Sequence, residues 1–466
     1  MTANSDIQYP RYTITDAPLS WRHWWITTVA SLGQLIGTAV ATVAGVIIPL
    51  MALTTTYAHM PSLTQGLIGA ADLMGIIVGS LVFGRLSDRY GYLLFFRLCP
   101  AIVLMSSVCA VLLPSAVVLV ISLFICGLGI GGEYSLDSDY TSELMPDRYK
   151  LLMLGMVKTG AALGNILGAA LSFLIISRWQ VPEWSNLMWI IAAIAALMLL
   201  SRIYFFESPK WLSCHGRQTD AQRALNSLLG PDVSLAASVT LPSDTAATVR
   251  PVHLSVQKSD FYKRFRDQII LTGIPWSCEG LGVYGIGVFI PMLVMALGIG
   301  HDSPIATGLH DITRSVLTTL WISCIILPGF LAGIWLVMKR VRIIRLQSAC
   351  FWTCAVSLII LLFSYHLHWP VWISLISFMS FELFLNIGPH LVTYLLPPRI
   401  YPLEVRGRGT GVAAAIGKAG AVAGVFLVPL LLKAGGGVAV LTFSAAIMAI
   451  GAAVTSVYGR KVNELS

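Results

Sequence analysis

Residues 64–91 read TQGLIGAADLMGIIVGSLVFGRLSDRYG. From Thr64 to Gly84 the run carries a single charge, Asp72, and then Arg85, Asp88 and Arg89 crowd into a turn that closes on Gly91. A run of about 20 residues rising ~1.5 Å each matches a hydrocarbon core of about 30 Å. Backbone groups in lipid must be satisfied within the segment, so this run reads as a spanning helix and the charged turn as its exit into water.

The same pattern recurs in both directions. Spans are predicted over 24–52, 64–84, 98–114, 116–138, 151–176 and 186–206, then over 267–297, 313–337, 345–365, 369–394, 409–432 and 438–458. Mean hydropathy is +0.79, and 11% of the 466 residues are charged, against roughly 25% in soluble domains. The expected fold is therefore an all-α membrane protein of twelve transmembrane helices in two six-helix bundles. Its parts are an N-terminal segment (1–23), a first bundle (24–206), a polar linker (207–266), a second bundle (267–458) and a tail (459–466). The linker holds Pro209, Pro231, Pro242 and Pro251 and one short amphipathic stretch near Asp220–Leu229.

A net charge of +8 could suggest a nucleic-acid partner, but its distribution explains it as topology. With a cytoplasmic N-terminus, 25 of the 30 Lys and Arg fall in cytoplasmic turns, the linker and the termini; the others are Lys158, Arg178, Arg314, Lys418 and Lys433. The positive-inside bias puts both termini in the cytoplasm. Trp21, Trp24, Trp25, Trp179, Trp184 and Trp369 fall at span ends, as an aromatic belt would. The eight cysteines are scattered and are expected as free thiols, and no cleaved signal peptide is apparent in the first 23 residues. With short loops and no targeting signal, a multi-pass protein of the cell membrane, the inner membrane in a bacterium, is expected.

Six helices, a linker and six helices imply two related halves. Gly84-Arg-Leu-Ser-Asp88-Arg89-Tyr-Gly91 after the second span is echoed by Gly333-Ile-Trp-Leu-Val-Met-Lys339-Arg340-Val-Arg342 after the eighth. Glu143-Leu-Met-Pro146-Asp-Arg148 after the fourth is echoed by Arg399-Ile-Tyr-Pro402-Leu-Glu404-Val-Arg406 after the tenth.

The turn from Gly84 to Gly91 resembles the signature loop of the major facilitator superfamily, G-x-L-x-D-R-x-G. That resemblance implies a charge latch on the cytoplasmic side, made by Gly84, Asp88, Arg89, Gly91, Glu143, Arg148 and Arg406. Closer likeness to the phosphate, organic-acid and sugar proton symporters is carried by Gly127-Leu-Gly-Ile-Gly-Gly132-Glu133-Tyr134, by Trp276 and Tyr284, by Asn386-Ile-Gly388-Pro389, by Tyr401-Pro402-Leu-Glu-Val-Arg406, by Gly417-Lys418-Ala-Gly420 and by Glu207-Ser208-Pro209. By resemblance, Lys418 matches a lysine that helps hold an anion. The chain departs from those relatives in lacking any charge in the first span, where Gln34 and Thr38 stand, and in having Glu133 for Asp, Gly280 for Asp with Glu279 beside it, His390 for Asn and Arg399 for Glu.

Ionisable side chains inside spans are expensive and so point to function. Asp72, Glu133, Asp137, Asp139, Lys158, Glu279, Glu382 and Lys418 are such residues. Glu133 and Asp137 share a helix face at i, i+4, and two carboxylates that close do not both ionise easily in a low dielectric. Glu133, Asp137 and Glu279 are therefore candidates for proton coupling. The competing reading for Glu133 is a structural hydrogen bond, or an ion pair with Lys158. Glu143 is expected to pair with Arg148 or Arg406. Substrate contacts are expected from Glu133, Tyr134, Asp137, Lys158, Trp276, Glu279, Tyr284, Asn386 and Lys418. Lys158 and Lys418, one from each half, either clamp an anion or neutralise carboxylates.

The function read from these features is secondary active transport of a small polar or charged metabolite by proton-coupled alternating access, the solute being an anion such as phosphate or an organic acid, or sugar-like. The acids leave open a cation, polyamine or metal-chelate carrier working by antiport, and more remotely a non-transporting receptor. No Walker-type loop, catalytic cluster or metal-ligand spacing occurs among the nine histidines, so no enzyme, metal or cofactor is expected. The expected partners are a small-molecule substrate, protons and the lipid bilayer, with no nucleic acid and a working monomer.

Overall fold

The computed structural model describes residues 12–14, 17–54, 57, 62–179, 184–229, 233–234, 258–286 and 309–465. Among them, ten helices are long and apolar enough to cross a bilayer, and Cys324–Met338 is a shorter apolar stretch. The first half supplies α1 (Trp21–Ala52), α2 (Ser62–Tyr90), α3 (Leu93–Leu112), α4 (Ala116–Leu144), α5 (Lys150–Trp179) and α6 (Met188–Ser201). The linker contains α7 (Pro209–Cys214), α8 (Gln218–Leu229) and α9 (Lys258–Arg264). The second half supplies α10 (Arg266–Gly280), α11 (Leu309–Met338), α12 (Ile343–His366), α13 (Val371–Ile387), α14 (Pro389–Leu395), α15 (Pro397–Ile400) and α16 (Arg406–Leu465). Non-helical backbone at Gly435 and Gly436 divides α16 into two crossings, and α13 with α14 makes one. The described helices thus give six crossings before the linker and six after it, the twelve-helix architecture expected from the hydropathy.

Sequence explains most of the breaks. Ser115 caps α4 by accepting from the Val118 N–H, and Ser208 with Pro209 behind it starts α7. Pro389 lacks an N–H, and the helix breaks at Gly388 as α13 gives way to α14. In the glycine-rich seventh span, α10 passes at Leu281 into a π-helical turn over Leu281–Ile286. The rest of that predicted span, 287–297, lies outside the described residues, as do residues 235–257 of the linker. The described non-helical pairing is two residues long, Tyr12–Thr13 (β1) lying parallel to Val233–Ser234 (β2).

Packing within the first half depends on close backbone approach. A Cβ added at Gly75 or Gly79 of α2 would strike the α4 backbone at Phe124 or Leu128, and one at Gly127 would strike Asp72. Small residues at matching heights let the two helices touch along their length. A separate apolar cluster spans the two halves, with Ala30, Leu154, Val157 and Ala162 against Phe330, Ile334, Leu391, Tyr394 and Leu395. The amphipathic α8 lays Leu225 and Leu228 into a cluster with Tyr92, Phe96, Tyr140 and Leu144, so the linker is bolted to the ends of α3 and α4.

Candidate functional site

Three buried polar clusters stand out, the first and third joining the halves and the second inside the first half. The central tier is built on Tyr134 of α4. Lys418 of α16 lies 4.7 Å from the centre of its ring and Lys158 of α5 lies 5.5 Å from it. Lys418 Nζ also donates to the Tyr284 hydroxyl at 2.8 Å, while Lys158 Nζ donates to Gln34 Oε1 of α1 at 3.3 Å and sits 5.4 Å from the Tyr394 ring. Trp276 packs against Tyr134 with ring centres 6.2 Å apart and covers Gly417, where a Cβ would meet the indole. Glu279 Oε1 lies 3.5 Å from His390 Nε2, and His390 Nδ1 is 2.9 Å from Asn386 Oδ1. Asp72 is within electrostatic reach of Lys418, and Glu279 of both lysines. All of these side chains are buried. Gln34 Nε2, Asp72 Oδ2 and the Tyr394 hydroxyl have no hydrogen-bond partner among the described residues.

The second tier is an arginine with two carboxylates. Arg202, at the C-terminus of α6, donates through Nη1 to Glu133 Oε1 at 2.8 Å and through Nη2 to Asp137 Oδ1 at 3.0 Å. All three side chains are fully buried. Glu133 and Asp137 therefore answer Arg202 and not Lys158, the pairing that sequence alone left open. Arg202 lies within the predicted sixth span, and the positive-inside count takes it with the basic residues of the linker. The available signal was its place as the one charge in that span.

The third tier joins the halves on the linker side. Asp88 accepts from the Gly407 N–H through Oδ1 at 2.8 Å and from the Arg408 N–H through Oδ2 at 2.9 Å, so a carboxylate of the first half caps the first turn of α16. Gly84 makes this possible, because a Cβ there would strike the Gly407 carbonyl. Thr410 donates to Asp139 Oδ1 at 2.9 Å, a second bond between halves. Glu143 accepts from the Tyr92 hydroxyl at 2.6 Å and from the Ser208 hydroxyl, with Arg406 at 3.5 Å. Arg89 and Arg148 are exposed and lie over Tyr90 and Tyr149.

Glu207, outside the membrane spans, accepts from the N–H groups of Tyr92 and Leu93 at the start of α3. Burial pushes its carboxyl above the usual range against the pull of those donors. Gly91 stands over it with φ of +88°, and any side chain there would meet the Glu207 carboxylate. Lys210 beside it is pushed down to about 8 by burial, with Lys150 adding to the effect.

The chain matches the family described as sugar (and other) transporters over residues 17–458. It is 25% identical over 402 residues to the inner membrane metabolite transport protein YgcS of Escherichia coli, covering 86% of this chain and 83% of the relative. It is 22% identical over 453 residues to the inorganic phosphate transporter PHO84 of Saccharomyces cerevisiae, covering 88% of this chain and 76% of that one. Among solved structures, the major facilitator superfamily proton:xylose symporter XylE of E. coli superimposes with a TM-score of 0.74 at 19% identity, over 95% of this chain and 96% of that one. These are membrane transporters, not enzymes. With a match that runs through both halves, this multi-pass membrane protein belongs to the sugar (and other) transporter family.

Proposed function

We propose that the chain carries a small anion across the cell membrane by proton-coupled alternating access, working as a monomer, with the substrate held between Lys158 and Lys418. The observation that carries this reading is the lysine pair. Two buried ammonium groups, one from each half, share the face of Tyr134. Among the described residues, neither has a carboxylate within 4.0 Å. Asp72 and Glu279 lie within electrostatic reach of the pair without touching it, so an incoming anion would supply the direct ion pair that neither lysine makes. Arg202 favours this reading further, because it takes up two of the buried carboxylates on which the cation reading rests. Phosphate and compact carboxylates are the substrate classes that this pair fits, with Tyr284, Trp276 and Asn386 shaping the site. Glu279, placed between His390 and the lysines, is a proton-coupling candidate inside the central tier.

In this reading the linker-side tier is the latch. With Asp88 on α16, Thr410 on Asp139 and Arg406 near Glu143, the halves are held together at that end, and the transport cycle requires these bonds to part. A thermal-shift panel of phosphate, carboxylates, sugars, amines and metal chelates on purified protein tests the proposal. Anions are expected to stabilise the protein, and Lys418→Ala is expected to weaken the apparent affinity about tenfold or more, equivalent to ~1.4 kcal/mol. Stabilisation by amines or chelates alone, indifferent to Lys418, would overturn it.

A further inference from the structure

We propose that the linker-side ends of α12 and α16 form a binding surface for the headgroup of an acidic phospholipid, held by Arg342, Arg345, Arg460 and Lys461. The surface lies at the rim of the second half, apart from the lysine pair, and does not depend on what the chain carries.

Charge comes first. No Asp or Glu stands between Asp311 and Glu382, while Lys339, Arg340, Arg342 and Arg345 crowd into the turn between α11 and α12. The tail adds Arg460 and Lys461 against one acid, Glu464, whose side chain lies outside the described residues. All six bases are exposed, and among the described residues none has a carboxylate within 4.0 Å. The positive-inside bias accounts for a basic turn. It does not account for two distant basic segments meeting on one seam.

Packing brings those segments together. Along the seam between α12 and the second crossing of α16, Ser348 and Ser456 share a hydrogen bond at 2.6 Å. A Cβ at Gly451 would meet the Phe351 ring, and one at Gly459 would strike Ile344. Arg345 follows Ile344 and Arg460 follows Gly459, so a guanidinium from each helix stands beside the last of these contacts. Each also ends an exposed apolar stripe. On α12, Arg345 is followed at helical spacing by Ala349, Trp352 and Val356; on α16, Ile450, Ala453 and Val457 lead to Arg460 and Lys461. Acyl chains lying along these stripes put a lipid phosphate among the bases. Lys461 Nζ lies 4.9 Å from the Tyr458 ring and Lys339 Nζ lies 5.7 Å from the exposed Trp335 ring, and such pairs of aromatic and base belong at headgroup depth.

The internal repeat shows what is missing. In the first half, the start of α3 is met by an anion, the Glu207 carboxylate, which accepts from the N–H groups of Tyr92 and Leu93. At the equivalent start of α12 no side chain caps the helix and the first turn holds no acid; Arg342 is the N-cap residue and Arg345 lies in the first turn. A lipid phosphate at this end takes the role that the linker carboxylate plays in the other half.

Native mass spectrometry of the full-length protein in detergent, titrated with dioleoylphosphatidylglycerol or dioleoylphosphatidylcholine, tests the proposal. The two probes share acyl chains and differ in headgroup charge. The acidic lipid is expected to bind more tightly. Arg345→Gln/Arg460→Gln/Lys461→Gln should weaken it about tenfold or more, since each base near an acidic surface is worth roughly fivefold in affinity. A control that removes as much charge from exposed linker positions, Arg217→Gln/Arg223→Gln/Lys263→Gln, should bind it as wild type does. A photoactivatable phosphatidylglycerol should crosslink to α12 and α16 around the seam, which locates the lipid in wild type without any variant. Equal binding of the two lipids, wild-type binding by the seam variant, an equal loss in the control, or crosslinks confined to other helices would overturn the proposal. Displacement of the lipid by inorganic phosphate would overturn it too, by making the seam a site for soluble anions.

Discussion

Lys210 is half-buried in the first turn of α7, beside Lys150 and near Arg406, with Glu143 and Asp147 only partly offsetting them. Its ammonium is pushed down from 10.5 to about 8. Amine-selective acetylation followed by mass spectrometry should therefore find Lys210 half-reactive near that pH. The linkage has a definite sign. The folded state gives up this proton more readily than the unfolded chain, so the unfolded state binds more protons between about 8 and 10.5, and this residue's contribution to stability rises across that window. A labelling midpoint above 10 would show that the site is wet and the contact loose. At the same scale, Arg202 shows why a residue's role was hidden. The positive-inside rule accommodates a basic residue near a span end, so its place as the one charge in that span goes unremarked; only its neighbours in space reveal two carboxylates.

The elements carry the internal repeat into geometry. In the turn after α2, Gly91 takes a left-handed backbone, and seven residues after Gly333 the equivalent turn after α11 places Arg340 at φ of +62°. A residue with a Cβ pays roughly 1 kcal/mol or more in that region. Arg340→Gly should stabilise the detergent-purified protein by about that amount, read as a higher melting temperature, and unchanged or lower stability would mean that the arginine side chain compensates through contacts of its own. Helix packing gives a sharper contrast. Gly127→Leu forces a side chain into the α2 backbone at Asp72, whereas Gly45→Ala on α1 meets nothing within 4 Å. The first should lose at least ~1–3 kcal/mol, seen as collapse of the monodisperse peak on size exclusion, and the second should behave as wild type. The spans and the Gly388-Pro389 break were legible because periodicity, length and a missing N–H act locally. The π turn at Leu281–Ile286 was legible only as glycine-rich backbone; what precedes it in space is a tertiary contact, Gly280 against the α16 backbone at Gly417 and Ala421.

At the scale of the whole molecule, the two halves close on the linker side through a carboxylate on a helix N-terminus. Replacing Asp88 with Asn keeps the shape and removes the charge–dipole attraction, worth about 0.3–1 kcal/mol and up to ~2 kcal/mol when partly buried. The closed-to-open ratio should fall by up to roughly 30-fold. Spin labels at exposed Arg148 and Arg342, in a cysteine-depleted background, should show a longer distance population in Asp88→Asn, and an unchanged distribution would place the latch in Asp139–Thr410 and Glu143–Arg406 instead. By itself the sequence determined the membrane, the twelve-helix plan, the family likeness and which buried charges deserve notice. Hydropathy, spacing and charge bias are properties of the chain read one stretch at a time. Only the tertiary structure decided the pairing: that Glu133 and Asp137 belong to Arg202, that Lys158 and Lys418 meet over Tyr134, and that Asp88 grips α16. These partners stand 65 to 320 residues apart, and which charge neutralises which is fixed by distance and burial in the folded bundle, not by order along the chain.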